Sequence, residues 1–281
     1  MNTSQYTYAR EYRGGVQAVI LDWSGSLADA YVIAPAVVFV EVFEKAGVPI
    51  SMEEARGPMG LRKDLHIKAL TEDPVIAERW KAAKGKYPDQ ADVDAMYKDF
   101  VPAQLECLKK YTTLLPGIKD TMTGLQAQGI KLGASTGFTR AMVDILNADA
   151  IAQGLTLDAT VAGDEVIHGA RPAPHMVYKN LDLLGISEIK SVVKCDDTVS
   201  GVGEALNAGC WGVGLVRYSN YMNINTLEEE ATLSEAEIAR RMAKTRAKLE
   251  QAGAHYVIDS LVELPEVIAD INARLARGEK P

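Results

Sequence analysis

Two nucleophiles of different kinds stand out in the chain, Asp22 and Lys63. Asp22 opens Asp22-Trp23-Ser24-Gly25-Ser26, directly after the apolar run 16–21. An aspartate at the carboxyl end of a buried strand, followed by a glycine turn, can accept a phosphoryl group. Lys63 lies in Gly57-Pro58-Met59-Gly60-Leu61-Arg62-Lys63-Asp64-Leu65-His66. A lysine amine is a nucleophile for carbonyl carbon. With Pro58 as a first-turn residue, helical spacing predicts Met59, Lys63 and His66 on one face, at i, i+4 and i+7. Taken singly, each has an ordinary role: a lysine on a helix is usually a solvated surface residue, and a strand-terminal aspartate a helix cap.

Other polar residues recur at the ends of apolar runs. Ser135-Thr136-Gly137 follows the run 131–134 and offers hydroxyls and backbone N–H groups at a helix start, a plausible phosphate cradle. Gly169-Ala170-Arg171-Pro172 places a guanidinium before a proline-opened helix, and Asp196-Asp197-Thr198 closes the run 191–195. In an open α/β sheet ligands bind beyond the carboxyl ends of the strands. Carboxylates, hydroxyls, amides and one arginine, collected there, suit a phosphoryl group with Mg²⁺.

The elements that must position these residues follow from the pattern. Short apolar runs at 16–21, 131–134, 159–162, 191–195, 211–216 and 256–258 read as buried parallel strands. Helical spacing fills 117–129, 139–153, 174–185 and 199–209. The alternation predicts an α/β fold with a doubly wound, Rossmann-like parallel sheet. Between the first two strands, helical stretches near 35–47, 58–71, 74–86 and 91–112 carry no strand. Residues 33–112 are therefore expected to form an inserted all-helical cap domain, with 1–32 and 113–281 making the α/β core. The charged segment 226–254, with a capping-box-like start at Ser234-Glu235-Ala236-Glu237, reads as a solvated helical face near the sheet edge.

Bulk properties exclude some classes. A net charge of −8 argues against nucleic-acid binding. The longest apolar run, 31–40, contains Pro35 and is too short for a membrane span. Residues 1–15 are polar without an apolar signal core. The cysteines Cys107, Cys195 and Cys210 form no metal-ligand spacing, and an odd count suggests no disulfide framework, so a reduced cytoplasmic setting is expected.

The residues at the strand ends resemble the haloacid dehalogenase superfamily, with Asp22, Thr136, Arg171 and Asp197 in its signature places. A narrower resemblance, to the phosphonatases, runs from about residue 14 to nearly the end of the chain. It is carried by Pro58-Met59-Gly60-Leu61 with Lys63 and His66, by Ser135-Thr136-Gly137-Phe138-Thr139-Arg140, and by Asp197-Thr198-Val199-Ser200 and Gly253-Ala254-His255. The resemblance implies Mg²⁺-dependent hydrolysis of the C–P bond of phosphonoacetaldehyde to acetaldehyde and phosphate. It implies a Schiff base on Lys63, an aspartyl-phosphate on Asp22, and metal held by Asp22, Asp197 and the Ser24 backbone carbonyl. Thr136, Gly137, Arg171, Met59 and His66 would bind the substrate. A homodimer is implied too, and the apolar 32–42 region is a candidate interface. For Lys63 to attack as a neutral amine its pKa should fall from about 10.4 towards 7–8, through desolvation and the like charge of Arg171.

Five positions depart from the family pattern, one of them, Ser26 for a usual threonine, conservatively. Ser24 stands where many phosphatases of the superfamily carry an acid for an ester leaving group, and phosphonatases an alanine. Phe138 replaces a usual tyrosine and Val32 a frequent cysteine. Gly201 replaces an acid that supports the metal shell, while Asp196 is gained just upstream. Two other readings of these residues remain: a phosphatase of the same superfamily that does not use Lys63, and a catalytically weakened anion-binding protein.

Overall fold

The computed structural model describes residues 11–281, so most of the polar amino-terminal stretch lies outside the described residues. One six-stranded parallel sheet forms the core, in the order β3-β2-β1-β4-β5-β6. Strand β1 (Ala18–Leu21) leads into five helices, α1 (Ile33–Lys45), α2 (Met52–Arg56), α3 (Lys63–Glu72), α4 (Pro74–Lys84) and α5 (Gln90–Leu108). The chain continues through α6 (Ile118–Ala127), β2 (Lys131–Thr136), α7 (Arg140–Ala152), β3 (Ala159–Ala162), α8 (His175–Leu184), β4 (Val192–Asp196) and α9 (Val199–Ala208). It ends with β5 (Trp211–Leu215), α10 (Leu227–Thr232), α11 (Glu235–Gln251), β6 (Tyr256–Ile258) and α12 (Leu264–Ala276).

Alternation along the strands explains why the sheet is covered on both faces. Val19 and Leu21 join the core that contains Met122, Leu146 and Ile268, whereas Ala18 and Ile20 join Leu181 and Ala205 on the opposite face. Strand β1 is flanked by β2 and β4, with Leu21 opposite both Ala134 and Cys195. The connections leave β1 in one direction and return on its other side, which opens a crevice at its carboxyl end. Asp22 is the next residue.

The inserted helices form a cap whose buried interior runs on into the core on one face of the sheet. Phe39, Phe43, Ile67, Leu70, Trp80 and Phe100 are buried there, and the Phe39 and Phe100 rings stack at 4.5 Å. The apolar run at 31–40 is spent on this interior: only Val37 and Val40 in it are partly exposed. It therefore offers little surface for the interface expected at 32–42. The link from β1 to α1 is held in an uncommon backbone, with Asp29, Tyr31 and Val32 at φ values of 51°, 65° and 55°. Asp29 Oδ1 compensates by accepting the Ile33 and Ala34 N–H groups at 3.0 and 3.2 Å, capping α1.

One sequence expectation needs correction, and two helices went unpredicted. The stretch 58–71 is not one helix: Gly60, at φ 94°, makes a turn, and α3 begins only at Lys63. Met59 is therefore presented by that turn and not by the helix face that carries Lys63 and His66. Helix α2 was not foreseen, although Ser51 and Glu54 form its reciprocal capping box. Nor was α12, despite the buried stripe Leu264, Val267, Ile268, Ile271, Leu275. The 226–254 segment comprises α10 and α11. Helix α11 crosses from β5 to β6, burying Leu249 against the sheet. No helix among the described residues is long and apolar enough to cross a membrane.

Candidate active site

The carboxyl ends of β1, β2 and β4 and the turn before α3 enclose one small cavity, with room for about 20 Å³. Its lining includes Asp22, Ser24, Met59, Lys63, Thr136, Gly137, Phe138, Arg171 and Asp197. A larger hollow of about 380 Å³, lined by Asn147, Ile151, Asp158 and Leu183, lies at the β3 edge and gathers no comparable set. His66 does not reach the cavity. It is fully buried behind Lys63, stacked on Phe39 at 3.8 Å between ring centroids. Its Nε2 lies 2.9 Å from the Ala55 carbonyl, which can only accept, so Nε2 carries the proton. Burial, and then the charge of Lys63, hold the ring neutral with a pKa well below the usual histidine range.

Glycines let the cap turn sit directly on the strand ends. A Cβ on Gly60 would lie 2.1 Å from Ser200 Oγ, and one on Gly137 would lie 2.4 Å from the Leu61 carbonyl oxygen. Ser200 Oγ donates to the Met59 carbonyl across the same contact, at 3.4 Å. This seating removes Lys63 from water, leaving it 4% exposed. Its Nζ lies over the Phe138 ring, 4.6 Å from the centroid, and 5.8 Å from that of Phe39. No hydrogen bond or ion pair to a described residue engages it. Burial pushes its pKa down to about 8; Asp22 draws it back up and Arg171 pushes it further down.

Below the lysine lies a buried ionic network. Arg171 donates from Nη2 to Asp22 Oδ1 at 2.7 Å, faces Asp196 Oδ2 from Nη1 at 3.1 Å, and donates from Nε to Glu204 Oε2 at 3.0 Å. Its Nη2 also donates to the Ser135 carbonyl. Ser135 turns away from the cavity and donates to Glu204 at 2.9 Å, so of the Ser-Thr pair only Thr136 faces it. Lys194 Nζ, also fully buried, donates to Asp196 Oδ2 at 2.7 Å.

One oxygen from each of Asp22, Asp196 and Asp197 falls within 4.8 Å of the others. Burial raises the pKa of Asp22 and, more strongly, of Asp197, where the neighbouring carboxylates add to it. Asp196 goes the other way, because Arg171 and Lys194 outweigh its burial. Asp197 Oδ2 accepts the Asn220 N–H at 2.7 Å, but its buried Oδ1 has no hydrogen-bond partner. A desolvated cluster of hard oxygens with an unsatisfied acceptor fits a divalent cation.

Comparison with known proteins agrees with this geometry. A family model for haloacid dehalogenase-like hydrolases matches residues 19–214. The chain is 44% identical over 267 residues to phosphonoacetaldehyde hydrolase of Klebsiella pneumoniae, covering 95% of this chain and 99% of that protein. It is 43% identical over 266 residues to the enzyme of that name from Pseudomonas fluorescens, covering 95% and 96%. The chain belongs to the haloacid dehalogenase-like hydrolases. The crystal structure of a phosphonoacetaldehyde hydrolase-like protein from Oleispira antarctica superposes with a TM-score of 0.94, at 37% identity, covering 99% of this chain and 100% of that one.

Within this haloacid dehalogenase-like hydrolase, Lys194 and Glu204 were missed by motif reasoning. Both carried a signal. Lys194 interrupts the apolar strand Val192-Val193-Lys194-Cys195, and Glu204 falls on the buried stripe of α9 with Ala205 and Ala208. A charge on a buried face needs a buried partner, and each is within reach of the other: Lys194 Nζ lies 3.9 Å from Glu204 Oε2.

Proposed function

We propose that this chain hydrolyses the C–P bond of phosphonoacetaldehyde to acetaldehyde and phosphate, through an imine on Lys63 and a phosphoryl intermediate on Asp22. The observation that carries the reading is Lys63 itself: a buried amine without a hydrogen-bonded partner, lining the same small cavity as Asp22. A phosphatase that displaces an oxygen leaving group has no use for such an amine. A phosphonate does, because the carbon leaving group is otherwise a carbanion.

In the reaction, the neutral Lys63 amine adds to the aldehyde carbon, and the adduct takes up a proton from solvent and loses water to give an iminium. Asp22 attacks phosphorus, and the C–P bonding pair moves into the iminium to form an enamine. Water then hydrolyses the aspartyl-phosphate, while protonation and hydrolysis of the enamine release acetaldehyde and free Lys63. Arg171 opposes the burial that raises the Asp22 pKa and aligns its carboxylate, and the Thr136 hydroxyl and Gly137 backbone hold phosphoryl oxygens. Met59 and Phe138 form the apolar wall, and His66, neutral and bonded to Ala55, steadies the turn of α3 that carries Lys63. Mg²⁺, held by Asp22, Asp197 and the Ser24 backbone carbonyl, would supply positive charge to the phosphoryl group. Ser24 offers no carboxylic acid to an ester leaving group, which further favours C–P cleavage over ester hydrolysis.

The cavity has room for about one water molecule, so residues 33–112 must act as a mobile cap that lifts to admit the substrate. A homodimer and a cytoplasmic setting belong to the same reading; sedimentation of the purified protein checks the first. Neither nucleic acid nor membrane has a part in it. The deciding experiment incubates the protein with phosphonoacetaldehyde and Mg²⁺, measures phosphate and acetaldehyde, and traps the imine with borohydride. Labelling of Lys63 and loss of turnover in Lys63→Arg are expected. Turnover without a label on Lys63 would refute the imine, and phosphate released only from phosphomonoesters would assign a phosphatase.

A further inference from the structure

Gly201 and Asp196 compete for one place. A Cβ built on Gly201 would lie 1.8 Å from Asp196 Cγ and 2.0 and 2.2 Å from its two oxygens. Gly201 sits in the first turn of α9 without a positive φ. Glycine is a poor helix former, and this backbone conformation does not call for it. What excludes a side chain there is the carboxylate of Asp196.

That carboxylate is fully engaged by protein donors. Oδ2 accepts Lys194 Nζ at 2.7 Å and faces Arg171 Nη1 at 3.1 Å. Oδ1 accepts the Thr198 N–H at 3.0 Å and the Thr198 hydroxyl at 2.7 Å. A carboxylate has about four lone-pair sites, and these contacts use them. Asp197 Oδ1, by contrast, is buried with nothing bound to it. Although the three aspartates are clustered, they are not equivalent: Asp197 has an oxygen to offer a cation and Asp196 does not. Asp196 instead grips the guanidinium whose other nitrogens hold Asp22 and Glu204.

We propose that Asp196 is a positioning residue, which fixes Arg171 against the phosphoryl acceptor Asp22 without ligating the cation, and that Gly201 is the vacancy this carboxylate requires. The two positions form one unit. A side chain at 201 expels Asp196 from Arg171, Lys194 and Thr198. Once the carboxylate is removed, the same side chain does no harm. The catalytic half of the proposal rests on the C–P hydrolase reading; the packing half does not.

A double-mutant cycle tests it with Gly201→Ala made in the natural chain and in Asp196→Ala. Gly201→Ala should lower Tm and cut kcat at least tenfold in the natural chain. In the Asp196→Ala background it should raise Tm, as alanine replacing glycine in a helix does when space allows. Equal Tm changes in the two backgrounds would overturn the shared place, whatever substrate the protein turns over. In Asp196→Asn, kcat should fall at least tenfold while the Mg²⁺ concentration for half-maximal rate shifts less than fivefold. A fivefold or larger shift would make Asp196 a ligand, and a smaller loss of kcat would deny it the positioning role. If the natural chain shows no C–P hydrolysis, the proposed function fails while the Tm cycle still decides the Asp196–Gly201 pairing.

Discussion

Replacing Lys63 with methionine should stabilise the protein while destroying its chemistry. The amine lies in a buried site, and its pKa falls from 10.5 to about 8. At about 1.36 kcal/mol for each tenfold change, burying the charged form costs roughly 3 kcal/mol. The Phe138 ring, 4.6 Å from Nζ, returns about 1 kcal/mol through its attraction for a cation. Methionine has a similar unbranched length and no charge, so Lys63→Met should gain about 2 kcal/mol at pH 7. The pH dependence gives the signature. Below about pH 8 both folded and unfolded chains hold the proton, and the penalty is present in full. Between pH 8 and 10.5 only the unfolded chain keeps it, so the natural protein gains stability as pH rises. By about pH 9.5 roughly 2 kcal/mol is recovered, and the advantage of the variant shrinks accordingly. Urea unfolding of both proteins with chelator present, at pH 7 and pH 9.5, measures this. A variant no more stable than the natural chain at pH 7, or an advantage unchanged at pH 9.5, would refute the desolvated-amine argument.

Three other outcomes follow from the same geometry. Borohydride trapping at Lys63 should rise with pH and bend near pH 8: from pH 8 to 9 the rate should grow about twofold, where an ordinary lysine would give about tenfold. Gly137→Ala puts a methyl 2.4 Å from the Leu61 carbonyl oxygen and should hold the cap turn off the core, raising KM on the order of tenfold in steady-state assays with little change in Tm. Arg56→Ala strips the donors that tie α2 to the Tyr31 carbonyl, in the link from β1 to α1, and to Asn220 Oδ1 and the Ile224 carbonyl after β5. It should cost about 2–4 kcal/mol in chemical denaturation.

The route from chain to site was uneven. The strands were legible because each is a short apolar run that ends in a polar turn, and alternation with helices demanded a parallel sheet. The strand-end residues then converge for a topological reason: β2 and β4 flank β1, so whatever follows these three strands meets in one crevice. The presentation of Met59 was not legible. Pro58 suggested a helix start, but Gly60 takes a positive φ and allows a contact with Ser200 and Thr198 that lies about 140 residues away in sequence, as the 3.4 Å bond from Ser200 to Met59 shows. Helix α12 was legible and overlooked, since its stripe of Leu264, Val267, Ile268, Ile271 and Leu275 has ordinary helical spacing. The apolar segment at 32–42 was read as a candidate interface because composition cannot distinguish a surface patch from the interior of a cap.

Residue type and order alone determined which groups are present and what they can do: a carboxylate and an amine as nucleophiles, hydroxyls and a guanidinium for a phosphoryl group, acids for a cation. They also determined the α/β sheet with a helical insertion, because hydrophobic periodicity is a local property. Only the tertiary structure decided the state of each group. Lys63 is an ordinary lysine until the cap turn, admitted by Gly60 and Gly137, removes it from water and draws its pKa to about 8. Likewise Asp196 and Asp197, adjacent in the chain, part company only in space: one carboxylate is enclosed by Arg171, Lys194 and Thr198, while the other keeps an oxygen free. Desolvation and partner geometry depend on segments far apart in sequence, and no local pattern contains them.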